Sequence, residues 1–156
     1  MAGEINVVRA ETPDFAALAS IVHTAVQSST AYTPAQRDAW SPAQRSAEEM
    51  AERLAGQAIF VAMDADAGPV GFMTLVEGGY IDFAYVLPSH QGRGLFSRLF
   101  ADLELLARAA WTRQLTTHAS MQAWTAFAAK GFRIEEPETI AQRGAWLPRF
   151  AMAKDL

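Results

Sequence analysis

The stretch VLPSHQGRGLFSRLF (86–100) decides the fold, because an apolar strand runs through a proline and a glycine-rich turn directly into an amphipathic helix. Such a turn leaves the first N–H groups of the helix without partners, beside the positive end of the helix dipole. Gly92 and Gly94 let the backbone approach an anion closely. Further donors come from the side chains of Gln91, Arg93 and Ser97. The turn alone fits both a phosphate-binding site and a plain strand-to-helix connection.

The composition limits the classes of protein that this chain can represent. Its 156 residues are 51% hydrophobic and 10% aromatic, which predicts one domain spanning 1–156. A net charge of −4 argues against a surface devoted to nucleic acid or to an anionic membrane. The sequence contains no cysteine, which excludes disulfides, a thiolate nucleophile and cysteine-ligated metals.

Targeting and metal-binding signals are equally sparse in the sequence. The start MAGEINVVRA lacks a basic segment followed by an apolar run, and no 18 consecutive residues are apolar, so we expect a cytoplasmic protein without a membrane span. His23, His90 and His118 lack the spacing of a metal site, so no metal is predicted. We expect His23 and His90 to be surface or packing residues.

Helix signals dominate the first third of the chain. Thr12 and Pro13 predict the cap and first position of a helix, and apolar residues continue at helical spacing to Val26. The segments TPAQR (33–37) and SPAQR (41–45) each match a capping box, with Thr or Ser followed by Pro and then Gln. We therefore predict two further helix starts at these segments.

Alternating patterns after Gly56 predict a sheet. Strands are expected at 5–10, 57–63, 69–76, 80–86, 113–119 and 145–153, and the three from 57 to 86 form an antiparallel meander. A helix from Leu95 to about Ala110 carries one apolar stripe that includes Phe96. A second helix over 121–130 ends at Gly131.

The motif Val86-x-Pro88-x-x-Gln91-x-x-Gly94 resembles the acyl-CoA pyrophosphate loop of the GNAT superfamily of N-acetyltransferases. Downstream, Ser120-x-x-Ala123, then Phe127 and the triplet 130–132 (KGF), resemble the second signature of that family. The segments YTPAQRDAWSP (32–42) and RGAWLPRFAMAKDL (143–156) are similar to a bacterial branch of small GNAT proteins. The resemblance thus extends over nearly the whole chain.

This resemblance implies an α/β (α+β) GNAT fold, with helices flanking a mixed, mostly antiparallel sheet that is splayed after its fourth strand. It also implies that the pantetheine arm of acetyl-CoA lies in the gap and that backbone N–H groups of 84–86 face the thioester carbonyl. The implied cofactor-binding residues are Ala84, Tyr85, Val86, Gln91, Gly92, Arg93, Gly94, Leu95, Phe96, Ser97, Ser120 and Phe127.

Two positions depart from the family pattern. Phe96 stands where Gly or Ala usually closes the loop, and it still offers its backbone N–H. Phe127 stands where a Tyr usually protonates the departing CoA thiolate. A thiol with a pKa of about 8.5 leaves tolerably well near neutral pH without a dedicated acid. Phe127 therefore weakens the case for fast turnover more than the case for binding.

Strand alternation yields the catalytic candidates. Tyr80, Asp82, Ala84 and Val86 share one face of their strand, which the family directs at the substrate. Asp82 is the first candidate base for the amine and Tyr80 the second, while a structural acceptor role for Asp82 carries equal weight. His118 lies on the same face as Ser120 and is either a proton relay or a satisfied core residue.

Tyr32 and Trp40 flank the short capped helix, so they either line the acceptor pocket or anchor their loop to the core. The resemblance implies transfer of an acetyl group from acetyl-CoA to an amine by direct attack in a ternary complex, in a monomer or homodimer. The absence of cysteine excludes an acyl-cysteine route. An acyl-CoA-binding regulatory module and a nucleotide-phosphate binder unrelated to CoA are the alternatives. No stripe of charge names the acceptor.

Overall fold

A computed structural model describes residues 3–156 as an open sheet with helices on both faces. Its strands are β1 (Ile5–Arg9), β2 (Ala58–Asp64), β3 (Gly68–Val76), β4 (Tyr80–Val86), β5 (Gln114–Ser120), β6 (Arg133–Gln142) and β7 (Ala145–Asp155). Its helices are α1 (Phe15–Gln27), α2 (Pro34–Trp40), α3 (Ala47–Arg53), α4 (Leu95–Ala109) and α5 (Trp124–Ala129). One 3₁₀ turn, Pro88–His90, precedes α4.

The seven strands lie in the order β1-β2-β3-β4-β5-β7-β6. Strands β1 to β4 pair antiparallel, which confirms the predicted meander. Strand β5 runs parallel to β4 but pairs with it only at Tyr80↔Thr116 and Ile81↔Thr117. The two strands diverge beyond Ile81, so the sheet is splayed after its fourth strand, as the resemblance implied.

Apolar cores lie on both faces of the sheet. One face packs α4 and α5 against the strands, and Leu99, Leu103 and Phe127 are almost completely buried there. The other face packs α1 and α3 around Phe72 and Phe83. Two separate cores fit a sheet that must cover both of its surfaces with helices. No helix within residues 3–156 has the length and apolar character to cross a membrane.

Two of the predicted helix starts are wrong, and the third is confirmed. Asp14, and not Thr12, caps α1, because its side chain accepts a hydrogen bond from the Ala17 N–H at 3.0 Å. Thr33 and Gln36 form the predicted capping box of α2. Ser41, however, closes α2, and the next helix starts after Ser46, which forms its own capping box with Glu49.

The sequence interpretation missed strand β6 altogether. Its ten residues, RIEEPETIAQ, show no alternation of apolar and polar residues and contain Pro137. Proline cannot donate to a strand ladder and is tolerated on edge strands. Strand β6 is the edge of the sheet and pairs only with β7.

Two helices also differ in detail from the prediction. Helix α5 begins at Trp124, later than the segment predicted over 121–130. On α4, Leu95 is fully buried, whereas Phe96 is only half-buried and so is not part of the fully buried stripe.

Candidate active site

The gap between β4 and β5 opens into two adjoining cavities. The first, of about 210 Å³, lies against the turn before α4, and we call it the loop cavity. The second, of about 510 Å³, lies on the side of β6 and α3, and we call it the charged cavity. Both cavities are lined by Trp40, Ala84, Tyr85, Ser120 and Ala123. The two cavities therefore meet where the sheet is splayed.

The turn before α4 presents bare backbone to the loop cavity. Gly94 has φ +75° and lies at the N-cap without any capping side chain. The N–H of Arg98 bonds to the Gly94 carbonyl at 3.1 Å, so the earlier N–H groups of the helix precede its hydrogen-bond ladder. A Cβ atom added at Gly92 or Gly94 meets no atom within 4 Å. This open space beside unpaired N–H groups suits an anion.

Most of the predicted loop residues line this cavity, but two do not. The lining includes Gln91, Gly92, Gly94, Leu95 and Phe96, together with Ala84, Tyr85 and Val86. Gln91 supports the turn by donating to the Val86 carbonyl at 3.0 Å. Arg93 and Ser97 line neither cavity.

A part-buried side-chain hydrogen bond, which sequence reasoning missed, ties the turn to the β2–β3 connection. His90 Nε2 lies 2.9 Å from Asp64 Oδ2, and its Nδ1 lies 2.8 Å from the Ser89 hydroxyl. Asp64 also accepts hydrogen bonds from the N–H groups of Asp66 and Ala67. The Asp66 N–H, followed by His90, holds the pKa of Asp64 below its usual value. His90 is thus a packing residue that positions the turn.

Aromatic side chains line the junction of the two cavities. Tyr32 and Trp40 pack edge to face with ring centroids 5.2 Å apart, and Tyr85 lies 6.4 Å from Trp40. The Tyr32 hydroxyl donates to the Pro148 carbonyl at 2.6 Å and accepts from the Met121 N–H at 2.9 Å. Tyr32 therefore both lines the charged cavity and anchors its loop. Burial raises the pKa of Tyr32 and of Tyr85.

A chain of polar contacts from β4 to β6 starts in the charged cavity, which Tyr80, His118 and Arg149 line. The Tyr80 hydroxyl lies 2.8 Å from His118 Nδ1, and His118 Nε2 lies 3.5 Å from Glu138 Oε1. Arg149 donates to the same Glu138 oxygen at 3.0 Å. Burial, and next the negative charge of Asp82, raise the pKa of Tyr80. The Tyr80 hydroxyl therefore keeps its proton near neutral pH unless a neighbouring group accepts it.

Asp82 faces the same cavity, but its oxygens are already engaged. Arg53 donates to both carboxylate oxygens, with Nη2 at 2.9 Å from Oδ1, and Gln57 donates to Oδ2 at 2.7 Å. The hydrogen bond to Asp82 raises the pKa of Arg53. These contacts match the structural alternative for Asp82, and its role as a base stays a prediction.

Phe127 lies in the core at the edge of the charged cavity. Its side chain is 1% exposed and packs edge to face against Phe96 and Phe132, with centroids 5.0 and 5.1 Å away. Ser120 accepts a hydrogen bond from the Ala123 N–H at 3.1 Å, which starts the turn before α5. Within residues 3–156, no three His, Asp or Glu side chains are placed to hold a metal ion.

Four arginines of the charged cavity escaped the sequence interpretation: Arg45, Arg53, Arg143 and Arg149. They come from the α2–α3 loop, α3, the β6–β7 turn and β7. No motif links them, because their proximity depends on the strand order and on β6. The only local signal is the hairpin turn Gln142-Arg143-Gly144, where Arg143 adopts φ +46°.

A splayed sheet with two joined cavities can hold two ligands side by side, and comparison with known proteins specifies the family. The family model "Acetyltransferase (GNAT) domain" matches residues 28–156. The chain therefore belongs to the GNAT family of acetyltransferases, which confirms the resemblance, the fold class and the enzyme class inferred above. A search of curated proteins gave no match.

Solved structures show the same fold. A GCN5-related N-acetyltransferase from Rhodopseudomonas palustris is 32% identical, with 100% of this chain and 98% of that chain covered and a TM-score of 0.89. The phosphinothricin acetyltransferase of Sinorhizobium meliloti, solved with acetyl-CoA, is 19% identical over 97% of this chain and 88% of its own, with a TM-score of 0.76. The PaiA N-acetyltransferase of Thermoplasma acidophilum, solved with coenzyme A, is 15% identical over 98% and 99%, with a TM-score of 0.75.

Proposed function

We propose that this protein transfers an acetyl group from acetyl-CoA to a primary amine in the charged cavity, by direct attack in a ternary complex. The observation that carries the proposal is the meeting of the two cavities at the gap between β4 and β5. A donor held by the loop cavity and an acceptor held by the charged cavity come together at Ala84 and Tyr85. Holding two reactants in this way replaces a bimolecular encounter by a positioned reaction.

The residues of the loop cavity fit acetyl-CoA. The uncapped start of α4 and the open space at Gly92 and Gly94 suit a pyrophosphate group. The half-buried apolar surface of Val86 and Phe96 suits the pantetheine arm. When bound, acetyl-CoA supplies an activated acetyl thioester. The relatives from Sinorhizobium meliloti and Thermoplasma acidophilum, solved with acetyl-CoA and coenzyme A, support this assignment.

The proton balance of the transfer shows that the cavity must remove protons from the acceptor amine. A C–N bond forms and the C–S bond of the thioester breaks, while the ammonium form of the acceptor loses two protons in total. The departing sulfur takes one of them and the solvent receives the other. A thiol pKa of about 8.5 makes the thiolate a tolerable leaving group, so Phe127 does not prevent turnover.

The Tyr80–His118 pair is our proposed route for the amine proton. The Tyr80 hydroxyl accepts a proton from the amine as it passes its own to His118 Nδ1, 2.8 Å away. Glu138, which accepts a hydrogen bond from Arg149, lies 3.5 Å from His118 Nε2 on the other side of the ring. Asp82, which accepts hydrogen bonds from Arg53 and Gln57, remains the competing candidate.

Replacement of His118 by Gln tests this route. Gln keeps a polar side chain but cannot take a proton, so we expect kcat to fall by about 100- to 10,000-fold. The kcat/KM profile should also move to higher pH, toward the pKa of the free amine. Tyr80→Phe should act in the same direction. An unchanged pH profile in both variants would reject the relay.

A screen of amines with release of free CoA as the readout tests the function as a whole. Its partner measurement is the melting temperature with saturating acetyl-CoA, CoA, ATP and NAD. Turnover with any amine supports the proposal. Stabilisation by CoA without turnover supports the second candidate, an acyl-CoA-binding module, which the buried Phe127 favours. Stabilisation by ATP or NAD but not by CoA would overturn both.

A further inference from the structure

We infer that the acceptor is a zwitterionic amine whose anionic group, a carboxylate or a similar oxyanion, is bound by Arg45 and Arg143 in the charged cavity. This inference rests on the proposed function and specifies the class of its acceptor.

The charges that line the cavity are opposite in sign to those of the chain. The protein carries a net charge of −4, with 13 basic and 17 acidic residues. The cavity lining nevertheless contains four arginines and only two carboxylates, those of Glu49 and Asp82. A cleft with an excess of one sign concentrates ligands of the opposite sign. An anionic group on the ligand is what this cavity favours.

Two of the four arginines are already neutralised. Arg53 forms its ion pair with Asp82, and Arg149 forms one with Glu138 at 3.0 Å. Arg45 and Arg143 have no carboxylate within 4 Å among residues 3–156. Their charges account for the positive excess of the cavity.

Glu49 is engaged elsewhere and leaves the Arg45 charge available. Its carboxylate accepts a hydrogen bond from the Ser46 N–H at 3.0 Å in the capping box of α3. That bond is the largest cause that lowers the pKa of Glu49, and the charge of Arg45 is a lesser one. Arg45 therefore interacts with Glu49 only through longer-range electrostatics and forms no ion pair with it.

A backbone hydrogen bond holds Arg143 at the cavity, whereas Arg45 lies near an aromatic ring, and both side chains are exposed. Arg143 Nη1 donates to the Ala39 carbonyl at 2.7 Å, across the mouth from the β6–β7 turn. The Arg45 guanidinium carbon lies 5.9 Å from the centroid of the Phe83 ring. A guanidinium has five N–H donors, so both groups retain donors for a bidentate oxyanion.

Under the proposed function, the amine nitrogen of the acceptor lies at the Tyr80 hydroxyl, which is 2.8 Å from His118 Nδ1 in the same cavity. Asp82 and Glu138 are paired with Arg53 and Arg149, so Arg45 and Arg143 are the charges left to bind the anionic group. A polyamine, which is cationic along its length, meets the two unpaired arginines unfavourably.

Matched acceptors test this inference. The kcat/KM of free amino acids should exceed that of the corresponding amino acid amides by about 10- to 100-fold, because the amide loses charge-assisted hydrogen bonds. Aminoalkyl phosphonates form a separate arm that distinguishes a phosphonate from a carboxylate as the anion. Arg45→Gln and Arg143→Gln should each reduce the preference for acid over amide. The control, Arg9→Gln, removes an exposed arginine of β1 and should leave that preference unchanged.

Separate outcomes distinguish this inference from the proposed function. Turnover of amides or polyamines at least as fast as of the acids would overturn the inference and leave the proposed function standing. If no amine turns over, calorimetry with N-acetyl amino acids and their amides in the presence of CoA decides. Tighter binding of the acids, weakened by Arg143→Gln, supports the inference, and equal binding rejects it. The rise in melting temperature with acetyl-CoA should be the same in all these variants.

Discussion

Replacing Gly94 by Val isolates the contribution of the turn before α4. Gly94 has φ +75°, and an added Cβ meets no protein atom within 4 Å, so the new side chain enters the space assigned to the pyrophosphate. Gly56 has φ +78° and the same open surroundings, and it lines neither cavity. Gly56→Val is therefore a control with a closely similar backbone cost and no effect on the site.

The expected shifts follow from the conformation and the chain length. A side chain in the left-handed region costs about 1–2 kcal/mol. The entropy of unfolding of 156 residues is about 330 cal/mol/K, so each variant alone should melt about 3–6 °C lower. Acetyl-CoA at 100 times its Kd adds about 2.7 kcal/mol, which raises the melting temperature by about 8 °C. If the variant binds acetyl-CoA 100-fold more weakly, the same ligand concentration raises the melting temperature by only about 1 °C.

Differential scanning fluorimetry with and without acetyl-CoA measures these shifts, and circular dichroism checks the fold of each variant. We expect wild type and Gly56→Val to gain about 8 °C and Gly94→Val to gain about 1 °C. A folded Gly94→Val variant that keeps the full ligand-induced rise would refute the assignment of the turn as the pyrophosphate site.

Asp82→Asn should lower the melting temperature, because it removes the charged partner of Arg53. The pH profile of kcat/KM should stay in place. A profile displaced toward the pKa of the amine would instead identify Asp82 as the base. Asp64 has a lowered pKa, so its stabilisation is present above the unfolded-state value of about 3.9 and is lost as the pH falls through the folded-state value. In Asp64→Asn the melting temperature should depend less on pH in this acidic range than in the wild type. An unchanged dependence on pH would contradict the stabilising role of the Asp64 carboxylate. Tyr32→Phe leaves the Met121 N–H and the Pro148 carbonyl unpaired, so urea denaturation should show a loss of about 1–3 kcal/mol, and a loss below that range would count against the anchor.

Local signals in the sequence were sufficient for the turn and for most elements around it. The glycines at 92 and 94, the amphipathic period of α4 and the capping box at Thr33 each lie within a few residues of the structure they specify. Backbone sterics and side-chain periodicity act over that short range, so the sequence predicts them directly. Strand β6 escaped because Pro137 and its mixed polarity mask a strand that only its pairing with β7 stabilises.

The sequence by itself determined the family and the turn before α4, because these rest on local motifs and on their order along the chain, and the resemblance to the family implied the splayed sheet. Only the tertiary structure decided what the cavity contains. Tyr80 and His118 are 38 residues apart in sequence, and His90 and Asp64 are 26 apart. Arg45 and Arg143 come from separate loops. The physical reason is that such contacts depend on strand order and on register, neither of which is encoded within one local segment.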